Sequence, residues 1–332
     1  MMDMQGKPLV SVRDLKVWFP VRKGVLSSLL SKRMEFVKAV NEVSFDIMEG
    51  ETLCVAGESG SGKTTLARAI LQLIKPTAGS VLFDGRDVSS MDKKELRKLR
   101  CEMQIIFQDP YESLDPRMTV FDLLAEPLEV NRIVHARKQK EERVYKVLDA
   151  VRLVPPKDFA RRFPHELSGG QRQRVVVARA LILQPRFMVA DEPVSMLDAS
   201  VRTEILNLLF DLRSKYNLTY MYITHDLAQA RYVGDRLIIL YLGKIMEKGP
   251  VEEVIKDPIH PYTKALISHV PVPDPTLKRE RIRVKGETPS PIDIPSGCRF
   301  HTRCPYMKEI CREKEPKLEA HGSRYSACHF FK

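Results

Sequence analysis

The chain has 332 residues, of which 43% are hydrophobic and 29% are charged. This ordinary globular composition excludes collagen-like, coiled-coil and wholly disordered chains. Its 54 Lys and Arg residues outnumber 43 Asp and Glu residues, which favours a polyanionic partner such as nucleic acid, a nucleotide or an anionic membrane surface. No apolar run reaches the roughly 20 residues of a membrane helix, and the first residues do not form a secretory signal, so we expect a cytosolic protein.

The spacing of apolar residues predicts strands that alternate with helices. Alternating or continuous apolar runs predict strands at 9–19, 39–47, 51–57, 186–192 and 218–226. Helical spacing is found at 63–74, 92–100, 136–153 and 171–183. Residues 20–36 form a basic, irregular insert between the first two strands. Strands alternating with helices predict an α/β domain.

The amino-acid composition of the chain changes after residue 257. Eight prolines lie between residues 258 and 295, and proline lacks a backbone donor and has a fixed φ, so this stretch is predicted to be mostly extended loop. Four of the six cysteines follow within the last 35 residues. We therefore predict one domain over 1–257 and a C-terminal extension over 258–332.

Residues 57–64, with the sequence GESGSGKT, match the phosphate-loop pattern G-x4-G-K-[ST] between a predicted buried strand and a helix. The glycines let backbone N–H groups surround a β-phosphate, and the following helix adds its positive end. Lys63 can reach the β- and γ-phosphate oxygens, and Thr64 can bind Mg²⁺. A glycine-rich turn without a ligand is the alternative. The predicted nucleotide-binding residues of this segment are Gly57, Ser59, Gly60, Ser61, Gly62, Lys63, Thr64 and Thr65.

A second acidic motif follows the predicted strand at 186–192. Asp191 and Glu192 lie at its carboxyl end, where ligands bind in open α/β sheets. Asp191 suits the coordination shell of Mg²⁺, and Glu192 can polarise an attacking water. Alone, such a tripeptide with proline is usually a turn, but a phosphate loop upstream favours the catalytic interpretation.

A third motif, LSGGQ, opens the helix predicted at 171–183. Its Ser168, Gly169, Gly170 and Gln171 offer a second phosphate-binding helix terminus. A single nucleotide does not need two phosphate-binding helix termini from the same chain. We therefore expect a head-to-tail dimer with ATP between the subunits. A plain serine-capped helix is the alternative.

Together these motifs resemble the ATP-binding-cassette ATPases of membrane transporters over residues 9–257. The resemblance implies a P-loop cassette with a mixed-sheet core and a helical subdomain at about 110–175. It also implies that Gln108 is the Q-loop residue, which senses Mg²⁺ and the membrane subunits, that 195–198 is the D-loop, and that His225 is the switch histidine at the γ-phosphate. Adenine stacks on an aromatic residue upstream in this family, which implies Phe19, with Trp18 as the alternative.

Within the family the chain looks like the F-type ATPase of oligopeptide/dipeptide importers. The HPY segment at 260–262, the GETPSPIDIPSGCRFHTRC stretch and the insert at 20–36 carry this resemblance. It implies a heterodimer with a paralogous ATPase, two membrane permease subunits and, indirectly, an extracytoplasmic solute-binding protein. The expected location is the cytoplasmic face of the membrane, and the exact solute is not encoded in this chain.

The C-terminal cysteines Cys298, Cys304, Cys311 and Cys328 have the spacing C-x5-C-x6-C-x16-C. Four thiolates suit either Zn²⁺ or a [4Fe–4S] cluster, and free thiols in a loop-rich tail are a further alternative. The family resemblance favours the [4Fe–4S] cluster, with Zn²⁺ as the alternative.

Two other functions compete with the importer hypothesis. A nucleic-acid-associated ATPase of the same family would suit the positive charge, but the sequence contains no recognisable nucleic-acid module or second cassette, and we expect no nucleic-acid partner. A non-catalytic cassette is disfavoured because Lys63, Asp191, Glu192 and His225 are all present.

Overall fold

The computed structural model describes residues 7–21, 34–109, 113–270 and 282–330. Residues 22–33 of the predicted insert lie outside the described residues, as do Pro271, Pro273 and Pro275 of the proline-rich stretch.

The described residues form twelve strands. They are β1 (Pro8–Pro20), β2 (Phe36–Met48), β3 (Thr52–Ala56), β4 (Ala78–Phe83), β5 (Arg86–Asp87), β6 (Met103–Ile106), β7 (Phe187–Asp191), β8 (Thr219–Thr224), β9 (Arg236–Tyr241), β10 (Lys244–Pro250), β11 (Glu319–His321) and β12 (Arg324–Ser326).

The same residues form eleven α-helices. They are α1 (Lys63–Ile70), α2 (Lys93–Glu102), α3 (Val120–Val130), α4 (Arg137–Ala150), α5 (Pro156–Arg161), α6 (Gly169–Leu181), α7 (Ala199–Tyr216), α8 (Leu227–Val233), α9 (Val251–Lys256), α10 (Pro261–Ser268) and α11 (Ile310–Glu313). Short 3₁₀ turns lie at Val88–Ser90 and Pro164–Glu166. None of these helices is both long and apolar enough to cross a membrane.

Every strand and helix predicted from apolar spacing has a counterpart, so the predicted α/β class is confirmed. One prediction was wrong in part. Pro261, in the stretch predicted to be mostly extended, occupies the first turn of α10, where a missing N–H and a fixed φ cost nothing. His260 caps this helix through a hydrogen bond of 3.0 Å from the Tyr262 N–H to its Nδ1 atom.

The described residues divide into two compact units. The strand-rich unit contains those of 8–47, 52–89 and 223–332, and the helix-rich unit contains those of 48–51 and 90–222 together with residue 7. The predicted boundary near residue 258 and the helical subdomain at about 110–175 stay predictions.

The strand-rich unit is built on two groups of strands. One is a four-stranded sheet in the order β2-β1-β4-β5, and the other runs in the order β11-β12-β10-β9-β3. Strand β3 pairs parallel with β9, whereas β10 pairs antiparallel with β9 and β12. The C-terminal residues thus extend a mixed sheet that also contains β3, the strand that leads into the phosphate loop.

The helix-rich unit contains β6, β7 and residues 219–222 of β8, in the order β8-β7-β6, whereas the last two residues of β8 belong to the strand-rich unit. Strands β6 and β7 are parallel, with Ile106 opposite Ala190. All five residues of β7 are buried, as expected for a parallel strand covered on both faces. Helices α3, α4, α5 and α6 pack against one another in this unit.

Candidate nucleotide site

The phosphate loop connects β3 to α1 in the strand-rich unit. All three of its glycines have positive φ, and the first and third, Gly57 at 154° and Gly62 at 102°, also lie close to neighbouring backbone. A Cβ atom would lie 2.2 Å from the carbonyl oxygen of Leu240 at Gly57 and 2.1 Å from that of Ala39 at Gly62. Real side chains do not tolerate such contacts with backbone, so the tight path of the loop requires glycine at both positions.

Lys63 is the first residue of α1, and its side chain is buried over the loop. Its ammonium donates hydrogen bonds to the carbonyl oxygens of Gly57 at 2.8 Å and Glu58 at 3.0 Å. The Oγ atom of Ser61 is buried without a hydrogen-bond partner among the described residues. A buried hydroxyl without a partner is costly unless a ligand satisfies it, so the loop fits a bound phosphate. Thr64 and Thr65 follow in the first turn of α1.

Glu58 is bonded to the C-terminal extension, a contact that the sequence analysis missed. Its backbone N–H donates to the hydroxyl of Tyr262 at 2.9 Å. Its carboxylate oxygen Oε2 lies 2.7 Å from Nη1 of Arg303 and accepts a hydrogen bond of 2.7 Å from the Thr288 hydroxyl. The sequence did contain one indication of this contact. Glu58 places a carboxylate inside a phosphate loop, where a neighbouring cation is expected to compensate its charge.

An aromatic cluster supports these contacts. The ring centroids of Tyr241 and Tyr262 are 4.7 Å apart, and Phe300 lies 5.5 Å from the first ring and 5.2 Å from the second. Burial raises the pKa of the Tyr262 hydroxyl, which therefore stays neutral and can accept the Glu58 N–H. The guanidinium of Arg303 lies over the rings of Tyr241 and Phe300, at 5.9 and 6.0 Å from their centroids.

Gln108 and Glu192 meet in the helix-rich unit. The first follows β6 and the second follows β7, so both lie at carboxyl ends of neighbouring parallel strands. Nε2 of Gln108 donates to Oε2 of Glu192 at 3.3 Å. Asp191, the last residue of β7, is buried, and Glu192 has a φ of 47°. The left-handed backbone at Glu192 turns the chain sharply after the strand.

The LSGGQ segment forms a capped helix start. Ser168 is the N-cap of α6 and accepts a hydrogen bond of 3.3 Å from the Gln171 N–H, while its own N–H donates to Oε1 of Gln171 at 3.1 Å. Ser168 is exposed. A Cβ atom on Gly170 would lie 2.5 Å from Cγ1 of Val201 in α7, so glycine permits the close packing of α6 and α7. The exposed N-terminus of α6, which includes Gly169, is available to an anion from another molecule.

The predicted D-loop leads into α7. Asp198 is the N-cap residue of that helix, and the Ser195 hydroxyl donates to the carbonyl oxygen of Glu192 at 3.0 Å. Met196 has 65% of its side chain exposed. This segment therefore continues directly from the acidic motif to the surface of the helix-rich unit.

Phe19 and Trp18 lie on opposite faces near the end of β1. Nε1 of Trp18 donates to Asn41 at 3.1 Å, and its ring lies beneath the ammonium of Lys38 at 5.0 Å and next to the Phe36 ring. Phe19 has 37% of its surface exposed. The exposed ring of Phe19 is the better of the two for stacking on a base.

His225 directly follows β8 in the strand-rich unit, and its side chain is exposed. This unit thus contains Phe19, the phosphate loop with Thr64, and His225, whereas the helix-rich unit contains Gln108, Asp191, Glu192 and Ser168 to Gln171. The predicted Mg²⁺ ligands Thr64, Gln108 and Asp191 are therefore divided between the two units.

The four C-terminal cysteines line one cavity in the strand-rich unit. They share it with the aromatic and histidine side chains of His260, Phe300, His301, Tyr306, His329 and Phe330. Burial, followed by the neighbouring thiols, raises the pKa of Cys298 to about 12 and that of Cys304 to about 11.

Two observations on the four cysteines bear on the predicted metal centre, and they point in opposite directions. Among the described residues, no group of three or more His, Cys, Asp or Glu side chains is arranged to hold a metal ion. The predicted metal centre, as a [4Fe–4S] cluster or as the Zn²⁺ alternative, therefore has no support from the ligand geometry of the described residues. The convergence of four thiols on one cavity is the single feature that suits a four-iron cluster, in which each thiolate binds a different iron.

Comparison with known proteins gives two family matches. The ABC transporter family model matches residues 40–195, and the model of the oligopeptide/dipeptide transporter C-terminal region matches residues 246–311.

Full-length relatives are similarly named. The chain is 46% identical to the oligopeptide transport ATP-binding protein AppF of Bacillus subtilis (strain 168), over 97% of each chain. It is also 46% identical to a putative peptide import ATP-binding protein of Brucella ovis, over 98% of each chain. Among solved structures, the chain is similar to the ATP-binding cassette MJ0796, which is described as a dimer in a post-hydrolysis state bound to ADP and Pi. The two sequences are 31% identical, and the TM-score is 0.62. The match covers 73% of this chain and 98% of that chain.

Proposed function

The chain belongs to the ABC transporter ATPase family, in its oligopeptide/dipeptide branch, and from that premise we propose its role in transport. It is the ATP-hydrolysing subunit that powers peptide import through a membrane ABC transporter. The observation that carries this function is the 46% identity to an oligopeptide transport ATP-binding protein over 97% of both chains. The fold expected for a cassette, with a mixed sheet and helical parts, agrees with it. The alternative of a nucleic-acid-associated ATPase has no support among these relatives.

ATP binds at the phosphate loop of the strand-rich unit. Lys63 releases the carbonyl oxygens of Gly57 and Glu58 and contacts the β- and γ-phosphates, while the loop amides and the buried Ser61 hydroxyl hold the phosphate oxygens. Thr65 extends this contact into the first turn of α1. The exposed ring of Phe19 stacks on adenine.

Hydrolysis uses the pair at the carboxyl ends of β6 and β7. Glu192 orients and polarises the attacking water, and Gln108 holds its carboxylate through the bond of 3.3 Å. Thr64, Gln108 and Asp191 are the residues that would hold Mg²⁺, which would supply positive charge to the phosphate oxygens. His225 contacts the γ-phosphate from the end of β8.

The LSGGQ segment acts on the nucleotide of a partner cassette. Ser168 is exposed at the N-terminus of a 13-residue helix, so it can reach a phosphate held by another subunit. The MJ0796 cassette, which is described as dimeric with ADP and Pi, supports a dimer of cassettes. The partner is a paralogous ATPase, and the pair binds two permease subunits at the cytoplasmic face of the membrane. An extracytoplasmic solute-binding protein delivers the solute.

The cysteine-lined cavity would hold a [4Fe–4S] cluster with a structural role. Its support is the convergence of Cys298, Cys304, Cys311 and Cys328 on one cavity. Thiolate ligands would stabilise a small extension that has little core of its own. Such a cluster would cross-link the parts of the extension that contain the four cysteines, and no step of ATP hydrolysis would involve it.

Transport by the reconstituted complex tests the whole proposal. The chain, its paralogue and the permeases are placed in vesicles with the binding protein, and uptake of a labelled peptide mixture is compared with uptake of labelled sugars. ATP-dependent peptide uptake that is lost with Lys63→Ala is the expected result. ATP hydrolysis stimulated by DNA or RNA, without uptake of any solute, would contradict it.

A further inference from the structure

Four separate bonds hold Glu58, the second residue of the phosphate loop. Its carbonyl oxygen accepts from Lys63 at 3.0 Å, and its N–H donates to Tyr262 at 2.9 Å. Its carboxylate oxygen Oε2 lies 2.7 Å from Arg303 and 2.7 Å from the hydroxyl of Thr288. Three of these bonds come from the C-terminal extension, from residues 204, 230 and 245 positions away along the chain.

The carboxylate of Glu58 is an unfavourable charge for a phosphate-binding loop. A negative side chain beside the amides that hold a triphosphate opposes binding by Coulomb repulsion. Arg303 cancels that charge and, with Thr288, fixes the orientation of the carboxylate through the same oxygen atom. The Arg303 side chain is 11% exposed and that of Glu58 is 29% exposed, so water screens this ion pair only partly.

Arg303 is itself held by the aromatic cluster. Its guanidinium lies over the rings of Tyr241 and Phe300 and donates to the Tyr241 hydroxyl at 3.4 Å. The ring of Tyr262 packs against both of these rings, and its hydroxyl accepts a hydrogen bond from the Glu58 N–H. The Arg303 guanidinium and the Tyr262 hydroxyl thus contact the phosphate loop from the same packed aromatic cluster.

We propose that Arg303 and Tyr262 are positioning residues of the phosphate loop, so that the C-terminal extension determines how tightly this subunit binds ATP. Arg303 acts by neutralising the Glu58 carboxylate, and Tyr262 acts by fixing the direction of the Glu58 peptide group. The inference rests on the proposed binding of ATP at Lys63.

A double-mutant cycle on the full chain tests the charge argument. The dissociation constant of a fluorescent ATP analogue is measured for the wild type, Arg303→Met, Glu58→Gln and the double variant. Arg303→Met is expected to weaken binding by about tenfold, because it exposes the phosphates to an uncompensated nearby charge. In the Glu58→Gln background the same change is expected to cost less than about twofold, because no charge remains to be compensated.

Two controls separate positioning from folding and from the proposed function. Arg324→Met removes a matched arginine of the extension that pairs with Asp257 and not with the loop, so it is expected to leave ATP affinity unchanged. Lys63→Ala reports whether the measured binding occurs at the phosphate loop. A wild type that does not bind ATP, or binds it equally well with Lys63→Ala, overturns the proposed ATP site and this inference with it.

The inference alone fails if Lys63→Ala abolishes binding but Arg303→Met, folded as judged by circular dichroism, binds like the wild type. It also fails if Glu58→Gln does not reduce the effect of Arg303→Met, since the arginine would then act on stability alone. Tyr262→Phe is expected to weaken binding about threefold in either background, because its partner is the backbone N–H and the change removes a single hydrogen bond between uncharged groups. An effect of Tyr262→Phe that disappears with Glu58→Gln contradicts the assigned role of Tyr262.

Discussion

The side-chain amide of Gln108 donates a hydrogen bond of 3.3 Å to the carboxylate of Glu192, although 84 residues separate them in the chain. Each residue follows one of two parallel strands whose register places Ile106 opposite Ala190. Parallel strands bring their carboxyl ends to one edge, so a polar residue just after each strand meets the other. This pair connects the proposed water-polarising carboxylate to the segment that resembles a Q-loop.

Replacement of Glu192 by Gln is expected to reduce ATP hydrolysis by about 100-fold or more while retaining ATP binding, because an amide cannot act as a general base. Steady-state ATPase assays on the assembled transporter, with ATP binding measured in parallel, check this. Glu142→Gln, on an exposed position of α4, is the matched control and should behave like the wild type. Hydrolysis at the wild-type rate by the Glu192 variant would remove this residue from the mechanism.

Replacement of Gln108 by Ala is expected to reduce peptide uptake per ATP hydrolysed more than it reduces ATP affinity. The change removes the hydrogen bond to Glu192 and alters the loop proposed to sense the permeases, but it leaves the phosphate loop untouched. Uptake and ATP hydrolysis are measured on the same vesicles, and affinity is measured separately. Equal losses in affinity and uptake would argue against a coupling role.

Replacement of Ser168 by Arg is expected to impair the nucleotide site of the partner ATPase. The exposed serine caps α6, and a long cation there would block the helix terminus that faces the partner's phosphates. Photocrosslinking of azido-ATP in a complex with one variant and one wild-type subunit identifies the affected site. Loss of labelling on the variant subunit alone would refute the head-to-tail arrangement.

Replacement of Glu42 by Gln is expected to lower the free energy of unfolding at pH 7 by about 1 kcal/mol. The effect is small because Glu42 and its two lysine partners, Lys16 and Lys244, are partly exposed to water. Hydrogen bonds from Lys16 at 2.8 Å and Lys244 at 2.9 Å lower the pKa of Glu42 to about 2. Since the folded-state pKa is below the unfolded value, this stabilisation is present above pH 4.5 and is lost as the pH falls toward 2. Denaturant unfolding at pH 7 and pH 3 should therefore give a larger difference between variant and wild type at pH 7.

Anaerobic purification is expected to give a brown chain with iron and sulfide, and Cys304→Ser should remove this iron. The four thiols at the cavity are the proposed ligands. Elemental analysis together with visible absorption provides the measurement. Zinc without iron, or neither metal, would refute the cluster.

The sequence by itself determined the order of the local motifs and the elements that carry them. The phosphate loop, the acidic strand end at Asp191 and the capped start of α6 depend on short-range chemistry, namely glycine freedom, apolar periodicity and capping. These features need only neighbouring residues, so the strands and helices that contain them appeared where the periodicity predicted them. Element ends were less predictable: α1 ends at Ile70, whereas the predicted helix continued to residue 74.

Tertiary structure alone decided which distant residues meet. The pairing of Arg303 with Glu58 and the convergence of four cysteines on one cavity depend on how the C-terminal extension returns to β10. No local pattern encodes a contact across 245 residues, because its energy arises only after the whole sheet has formed and loop closure has been completed. The residues that connect the extension to the phosphate loop therefore became identifiable only from the fold.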